Sequence, residues 1–369
     1  MHEPHELTLF LCGDVMTGRG VDQAFARSCP PHLHESYVTS AVEYLRLAER
    51  ANGPIPRPID HAYVWGDALD VLDQARPAAR IINLETTITT HDDPYPKGIN
   101  YRMHPANVGV LAAARIDCCN LATNHVLDWG EDGLLETLEA LAGAGIRVAG
   151  AGRDVASATS PAIIPAGAGT RILVVGLGAQ DSGIPRDWAA DRSTPGVALL
   201  ADFSDRSVAA IAEVVDTAKR AGDVVVASIH WGPNWGYEVP PLHRRFAHAL
   251  IDHAGVHIVH GHSSHHPKAI EVYRGRPILY GCGDFLNDYE GIRGYEEFRG
   301  DLTLMYLPTL DRTGRLTRFE LVPLRIRRLR LEHASAPDRE WLHATLDREC
   351  RPFGTRIVDR GSRLAVEPA

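Results

Sequence analysis

The sequence has no apolar run long enough to span a bilayer, no CxxC pair, no repeat of fixed period and no low-complexity tail. Each absence removes a class. The first apolar stretch stops at Asp14, too early for a signal peptide or a membrane helix, and the leading Met1-His2-Glu3-Pro4-His5-Glu6 lacks a basic segment. A soluble, cytoplasmic protein with no membrane partner is therefore expected. The six cysteines (Cys12, Cys29, Cys118, Cys119, Cys282 and Cys350) show no framework spacing, so they read as structural thiols, adjacent Cys118 and Cys119 as small core residues. Basic excess is missing too: 38 Lys and Arg against 47 Asp and Glu leave a formal charge of −9. That balance offers no broad face for a phosphate backbone, so nucleic acid is not an expected partner.

What the chain has instead is a series of β-branched runs, each ending in a short polar cluster. These are Gly13-Asp14, Asn83-Leu84-Glu85, Asn124-His125, His230-Trp231-Gly232 and His260-Gly261-His262. Apolar strands that end in carboxylate, amide and imidazole bring oxygen and nitrogen ligands to one rim of a sheet, which is how a protein assembles a metal site. Runs from Glu6 to Cys12, Ala78 to Leu84, Cys118 to Ala122, Arg171 to Leu177, Val224 to Ile229, Val256 to Val259 and Ile278 to Tyr280 read as strands. Helices are expected over Asn107–Ala114, Glu131–Ala144, Asp205–Arg220 and Leu242–Asp252. Residues 302–330 alternate apolar and polar positions as in an antiparallel sheet. Prolines surround a helix at Val38–Arg50, which marks about 29–66 as an insertion. The 369 residues are expected to form one unit, an α/β fold of two packed mixed sheets flanked by helices.

Each cluster also has a plainer reading. Asp14 suits a turn, Glu85 a salt bridge at a helix start, and His125 a core position satisfied by a carbonyl. Asp128, three residues after His125, would fix the tautomer of that ring and raise its basicity. His260-Gly261-His262 projects alternate side chains to one side, with a glycine that lets backbone pass close to an ion. His265 and His266 read as solvent-facing.

Taken together, Gly13-Asp14-Val15-Met16, Asn83-Leu84-Glu85-Thr86, Asn124-His125-Val126-Leu127-Asp128-Trp129-Gly130, His230-Trp231-Gly232 and Gly261-His262 resemble the CapA-type (poly-γ-glutamate capsule protein) branch of the calcineurin-like metallophosphoesterases. The resemblance runs from about Leu7 to Asp288 and implies the calcineurin-like fold with a metal site at the strand ends. Two departures bear on its chemistry. Met16 stands where ordinary metallophosphoesterases carry the imidazole of Asp-x-His, and Asp284 where many relatives carry Asn. Capsule-associated members are typically membrane-anchored, whereas no anchor is read here.

A soluble branch of similar proteins inverts the Cα of a C-terminal residue in lasso-peptide precursors. The resemblance therefore implies a metal-dependent peptide epimerase as the first expectation. A metal-dependent phosphoesterase, or a protein of poly-γ-glutamate synthesis or export, is the alternative. The expected metal ligands are Asp14, Glu85, Asn124, His230, His260 and His262, for Ca²⁺, Mn²⁺ or Zn²⁺. Acid and base roles fall to His125, His230, Asp14 and Asp284. Lys97, Arg102 and Trp235 are expected to hold a peptide substrate. The letters fix neither the ion nor the oligomeric state.

Overall fold

The computed structural model describes residues 6–167 and 169–369; Met1–His5, read above for targeting signals, lie outside them. Among the described residues, sixteen strands make the two main sheets. In chain order they are β1 (Leu7–Val15), β2 (Ala79–Leu84), β3 (Cys118–Asn120), β4 (Arg147–Ala149), β5 (Ala162–Pro165), β6 (Arg171–Gly178), β7 (Val224–His230), β8 (Ile258–His262), β9 (Ile270–Tyr273), β10 (Arg276–Leu279), β11 (Asp284–Leu286), β12 (Leu302–Leu310), β13 (Leu316–Arg327), β14 (Arg330–His333), β15 (Thr355–Asp359) and β16 (Leu364–Pro368).

The first sheet runs β15-β16-β13-β12-β1-β2-β3-β4, with β11 beside β1 and β14 beside β13. The second runs β9-β10-β8-β7-β6-β5. Both are mixed. Parallel pairs lie where helices make the crossover (β1 with β2, β2 with β3, β6 with β7, β7 with β8), and antiparallel pairs lie at the flanks and through β12 to β16. This is an α/β fold of two mixed sheets flanked by helices, consistent with the architecture of calcineurin-like phosphoesterases.

Side chains alternate across each strand, and the two faces go to different cores. Leu9, Leu11, Ala79 and Ile81 from the first sheet meet Ile172, Val174, Val224, Val226 and Ile258 from the second in the layer between the sheets. The opposite faces are covered by helices. Phe10, Cys12, Ile82 and Cys119 pack with Leu134 and Leu141 of the helix Gly130–Gly143. Leu173, Val175, Val225 and Ala227 pack with Val208 and Phe246 of the helices Asp205–Ala218 and Pro241–His253. Strands buried on both faces explain the unbroken β-branched runs in the sequence.

Among the described residues, no helix is long and apolar enough to cross a membrane. Between Cys29 and Trp65 the chain forms a helix at Ala41–Asn52 and a short 3₁₀ turn at Tyr63–Trp65. The helix Ala336–Cys350 and the β15–β16 hairpin, for which the sequence reading gave no expectation, pack on the edge of the first sheet.

Candidate metal centre

The face that is apolar deep between the sheets turns polar at the carboxyl ends of the strands. On β2, Ala79 and Ile81 are followed on the same face by Asn83 and Glu85; on β3, Cys118 by Asn120. On β7, Val224 and Val226 lead to Ser228 and His230, and on β8, Ile258 leads to His260 and His262. Register aligns these positions, with Asn83 opposite Asn120 and His230 opposite His262.

β1 departs from simple alternation. Leu9 and Leu11 face the inter-sheet layer, so strict alternation would put Gly13 there and turn Asp14 outward. An irregularity between Leu11 and Asp14 shifts the phase by one residue. Asp14 consequently joins the polar layer, where Asn83 Nδ2 donates to its Oδ1 at 2.7 Å. The shift requires glycine: a Cβ on Gly13 would stand 1.6 Å from the Gly283 carbonyl oxygen.

Two ligand groups meet at Asp14. Asp14, His230 and His262 each offer an atom within 4.8 Å of the others, and so do Asp14, His265 and Asp284. Asn83 ties the carboxylates together, donating to Glu85 Oε2 at 2.8 Å as well as to Asp14. Glu85 Oε1 lies 3.6 Å from His230 Nε2, which Asn124 Oδ1 approaches to 3.0 Å. Clusters of this kind could coordinate a divalent metal.

The electrostatics point the same way. Burial, with the charge of Asp284 beside it, pushes the Asp14 carboxyl up to about 8. Burial and Asp14 together raise Glu85 well above the usual carboxylate range. His230 and His262 are held well below their usual value, mainly by burial and then by neighbouring imidazoles. Burial thus disfavours charge on acids and imidazoles alike, and it leaves the imidazoles in the neutral form that a divalent cation with N/O preference could take as ligands.

His125 stands at the rim. Its Nδ1 is 2.6 Å from Asp128 Oδ2, so that nitrogen carries the proton and the Nε2 lone pair is left open. Burial lowers the ring to about 4, the nearby Asp128 offsetting part of the effect. Tyr101 stacks on the imidazole at 3.9 Å. Lys97 Nζ is 2.6 Å from Asp128 Oδ1 and 3.2 Å from His125 Nδ1, and it also donates to the Asn124 carbonyl.

The other residues singled out in the sequence have partners of their own. His260 is part of neither ligand group: its Nε2 is 2.7 Å from the Cys12 carbonyl and its Nδ1 is 3.1 Å from Ser228 Oγ. Arg102 is engaged by the His91 carbonyl at 2.5 Å and Asp92 at 2.9 Å, with its guanidinium over Trp129. Trp235 lies flat on Tyr295 at 4.0 Å, its ring 5.2 Å from that of His265. His265 and His266 are not solvent-facing. Ser263, with φ of 102°, turns the loop after β8 so that His265 Nδ1 meets Asp284 Oδ1 at 2.9 Å, and His266 is fully buried beside Tyr237 and Phe298. Burial disfavours charge on His265, but Asp284 and Asp14 outweigh it and its pKa is raised. Asn83 was visible as part of a cluster, but its bridging role was not.

A model of the family described as bacterial capsule synthesis protein PGA_cap matches residues 8–289. The chain belongs to the PGA_cap family. It is 50% identical over 370 residues to a probable polyglutamine synthesis accessory protein of Mycobacterium tuberculosis, covering 99% of this chain and 97% of that one. The PGA biosynthesis protein CapA of Bacillus subtilis is 31% identical over 230 residues, 62% of this chain and 56% of CapA. The capsule biosynthesis protein CapA of Bacillus anthracis is 26% identical over 290 residues, 78% of this chain and 61% of that one. The PGA_cap match spans every member of the two ligand groups, and His125 and Asp128 as well.

Proposed function

We propose that this PGA_cap protein is a divalent-cation-dependent enzyme, a hydrolase, that serves the synthesis of an amide-linked glutamate or glutamine polymer. The observation that carries the reading is the sharing of Asp14 by two N/O ligand groups, with a neutral, aspartate-oriented His125 at their rim. The polymer class comes from the names of the relatives, above all the polyglutamine synthesis accessory protein that matches end to end.

In this reading Asp14, His230 and His262 hold one cation, and Asp14, His265 and Asp284 a second, with Glu85 and Asn124 beside the first. His265 then supplies an imidazole next to Asp14, which the Met16 position cannot. The cations would polarise a carbonyl or phosphoryl oxygen and lower the pKa of water. The chain's own residues do the rest. His125 Nε2 takes or gives a proton, Asp128 holds the ring in one tautomer, Lys97 pairs with the other oxygen of Asp128 and so fixes that carboxylate, and the Trp235–Tyr295 stack offers a flat wall beside the second group.

Cα epimerisation of a peptide is the second reading, favoured by two histidines kept neutral at one site, His125 and His230, because proton removal and return need such a pair. One set of assays separates the readings. Purified protein with Mn²⁺ is incubated with poly-γ-glutamate, with an aryl phosphate, and with peptide in heavy water. Hydrolysis of either of the first two, lost with chelator and in His125→Ala, supports the proposal. Deuterium entering one Cα without any cleavage would favour epimerisation, and inertness in all three would overturn an enzymatic role.

A further inference from the structure

Arg19 is the most enclosed cation near the centre, yet it touches none of the proposed ligands. Its backbone is left-handed, with φ of 44°, a conformation that a non-glycine residue keeps only when its surroundings fix it. Those surroundings are specific. Nε and Nη2 reach the two oxygens of Asp288 at 3.2 and 2.5 Å, and Nη1 reaches Glu35 at 2.8 Å. The guanidinium lies 3.8 Å from the centre of the Tyr44 ring, and the Tyr44 hydroxyl donates to Glu35.

The two sides of this knot come from distant parts of the chain. Glu35 and Tyr44 belong to the segment between Cys29 and Trp65, whereas Asp288 closes the turn after β11. Within that turn Asn287, next to Asp288, donates to Asp284 Oδ2 at 2.9 Å, and the Tyr289 amide donates back to Asn287 at 3.1 Å. His265 holds the other Asp284 oxygen. Gly20 N also donates to Asp288, at 2.8 Å, so the turn is gripped from Arg19 and from its neighbour.

We infer that Arg19 is a positioning residue that ties the segment between Cys29 and Trp65 to the Asp14/His265/Asp284 group, so that this segment sets how firmly the second cation is held. The inference rests on the two-cation reading above. Toward the other group the contacts of Arg19 pass over Tyr101, whose ring lies 4.7 Å from the guanidinium and stacks on His125, and His125 is not one of the proposed ligands, so the effect falls first on the Asp14/His265/Asp284 group. The planar fork is essential, because a lysine keeps the charge but cannot face both Asp288 oxygens and Glu35 together.

The test is a Mn²⁺ titration of full-length wild type, Arg19→Lys and Glu35→Gln by calorimetry, with bound metal counted by mass spectrometry and folding checked by near-ultraviolet circular dichroism. Wild type is expected to take two equivalents. Glu35→Gln, remote from every ligand, and Arg19→Lys are each expected to weaken the second equivalent by about 10-fold, the lower end for outer-shell changes, and to leave the first as it was. Hydrogen exchange over 284–289 should quicken in both. If wild type binds two and both folded variants bind two with unchanged or equally weakened affinities, the tie is overturned while the centre stands. Should Arg19→Lys fail to fold, Glu35→Gln decides alone. A wild type that binds fewer than two equivalents overturns the two-cation reading and this inference with it.

Discussion

The Nδ1 atoms of His230 and His262 lie 2.9 Å apart, each ring on its own strand at paired register positions. Two nitrogens bonded at about 2.1 Å to one ion stand roughly 3 Å apart when they are at right angles, so this spacing is close to what ligation asks. Without an ion the same pair has to share a proton.

Cation binding should therefore release protons. Asp14, with its pKa near 8, is largely protonated at pH 7, and a ligating carboxylate is not. Mn²⁺ affinity is expected to rise with pH up to about 8 by roughly 10-fold per unit for each proton displaced, then flatten. Calorimetry in buffers of different ionisation enthalpy reads the proton count directly. Affinity that does not change between pH 6 and 8 would contradict the raised carboxyl.

The cation-free protein should lose stability as pH climbs from 6.5 to 8. Asp14 is raised from 3.8 to about 8, so between those values the folded state binds more protons than the unfolded one, and stability falls with rising pH. His125 and His260, lowered from 6.5 to about 4, act in the opposite sense, but only below 6.5. Above that pH the carboxylate effect is opposed only near pH 8, where Lys268, lowered by burial to about 8, begins to act in the other sense. Melting scans with chelator should show the fall, and added Mn²⁺ should restore more at pH 8 than at 6.5.

Asp14→Asn separates the cost of the buried charge from its use. The variant is expected to melt higher than wild type in chelator at pH 8, since the burial penalty of one carboxylate is gone. It should also lose affinity for both equivalents by more than about 100-fold, beyond what outer-shell changes cost. His262→Ala, by contrast, should spare the equivalent at His265 and Asp284. Metal counting on the two purified variants distinguishes the shared ligand from the unshared one.

Gly13→Ala tests the phase shift on β1. With 1.6 Å between the added carbon and the Gly283 carbonyl oxygen, the strand cannot keep its path, and a loss of at least about 3 kcal/mol is expected by denaturant unfolding. Gly98→Ala, where nothing lies within 4 Å of the added carbon but φ is 88°, should cost only about 1 kcal/mol.

These residues also show what a reader of the sequence can and cannot see. The strand Val224–His230 was legible because a strand buried on both faces is β-branched without interruption, and the polar residue that ends it stands out. Asp14 was legible as a strand-end carboxylate, but alternation from Leu9 and Leu11 points it to the wrong face, and only the irregularity before it corrects that. His265 and His266 carry no periodicity; which of them turns toward Asp284 is decided by the backbone at Ser263. Arg102 has the charge a substrate carboxylate would want, but Asp92, the His91 carbonyl and Trp129 hold its guanidinium, and none of them is near it in a helical or strand period. The helix Ala336–Cys350 escaped notice because it buries Asp338 and Asp347 along with Leu342 and Leu346, so its apolar stripe is broken by ion-paired acids.

The centre lies in the seam between the two sheets, with Asp14 and Glu85 contributed from one side and His230 and His262 from the other. An ion held there would work as a rivet, and chelation should let the layers part separately where the loaded protein comes apart at once. A change in either layer would then be felt in the other through a handful of atoms, even though Glu85 and His230 are separated by more than a hundred residues of chain.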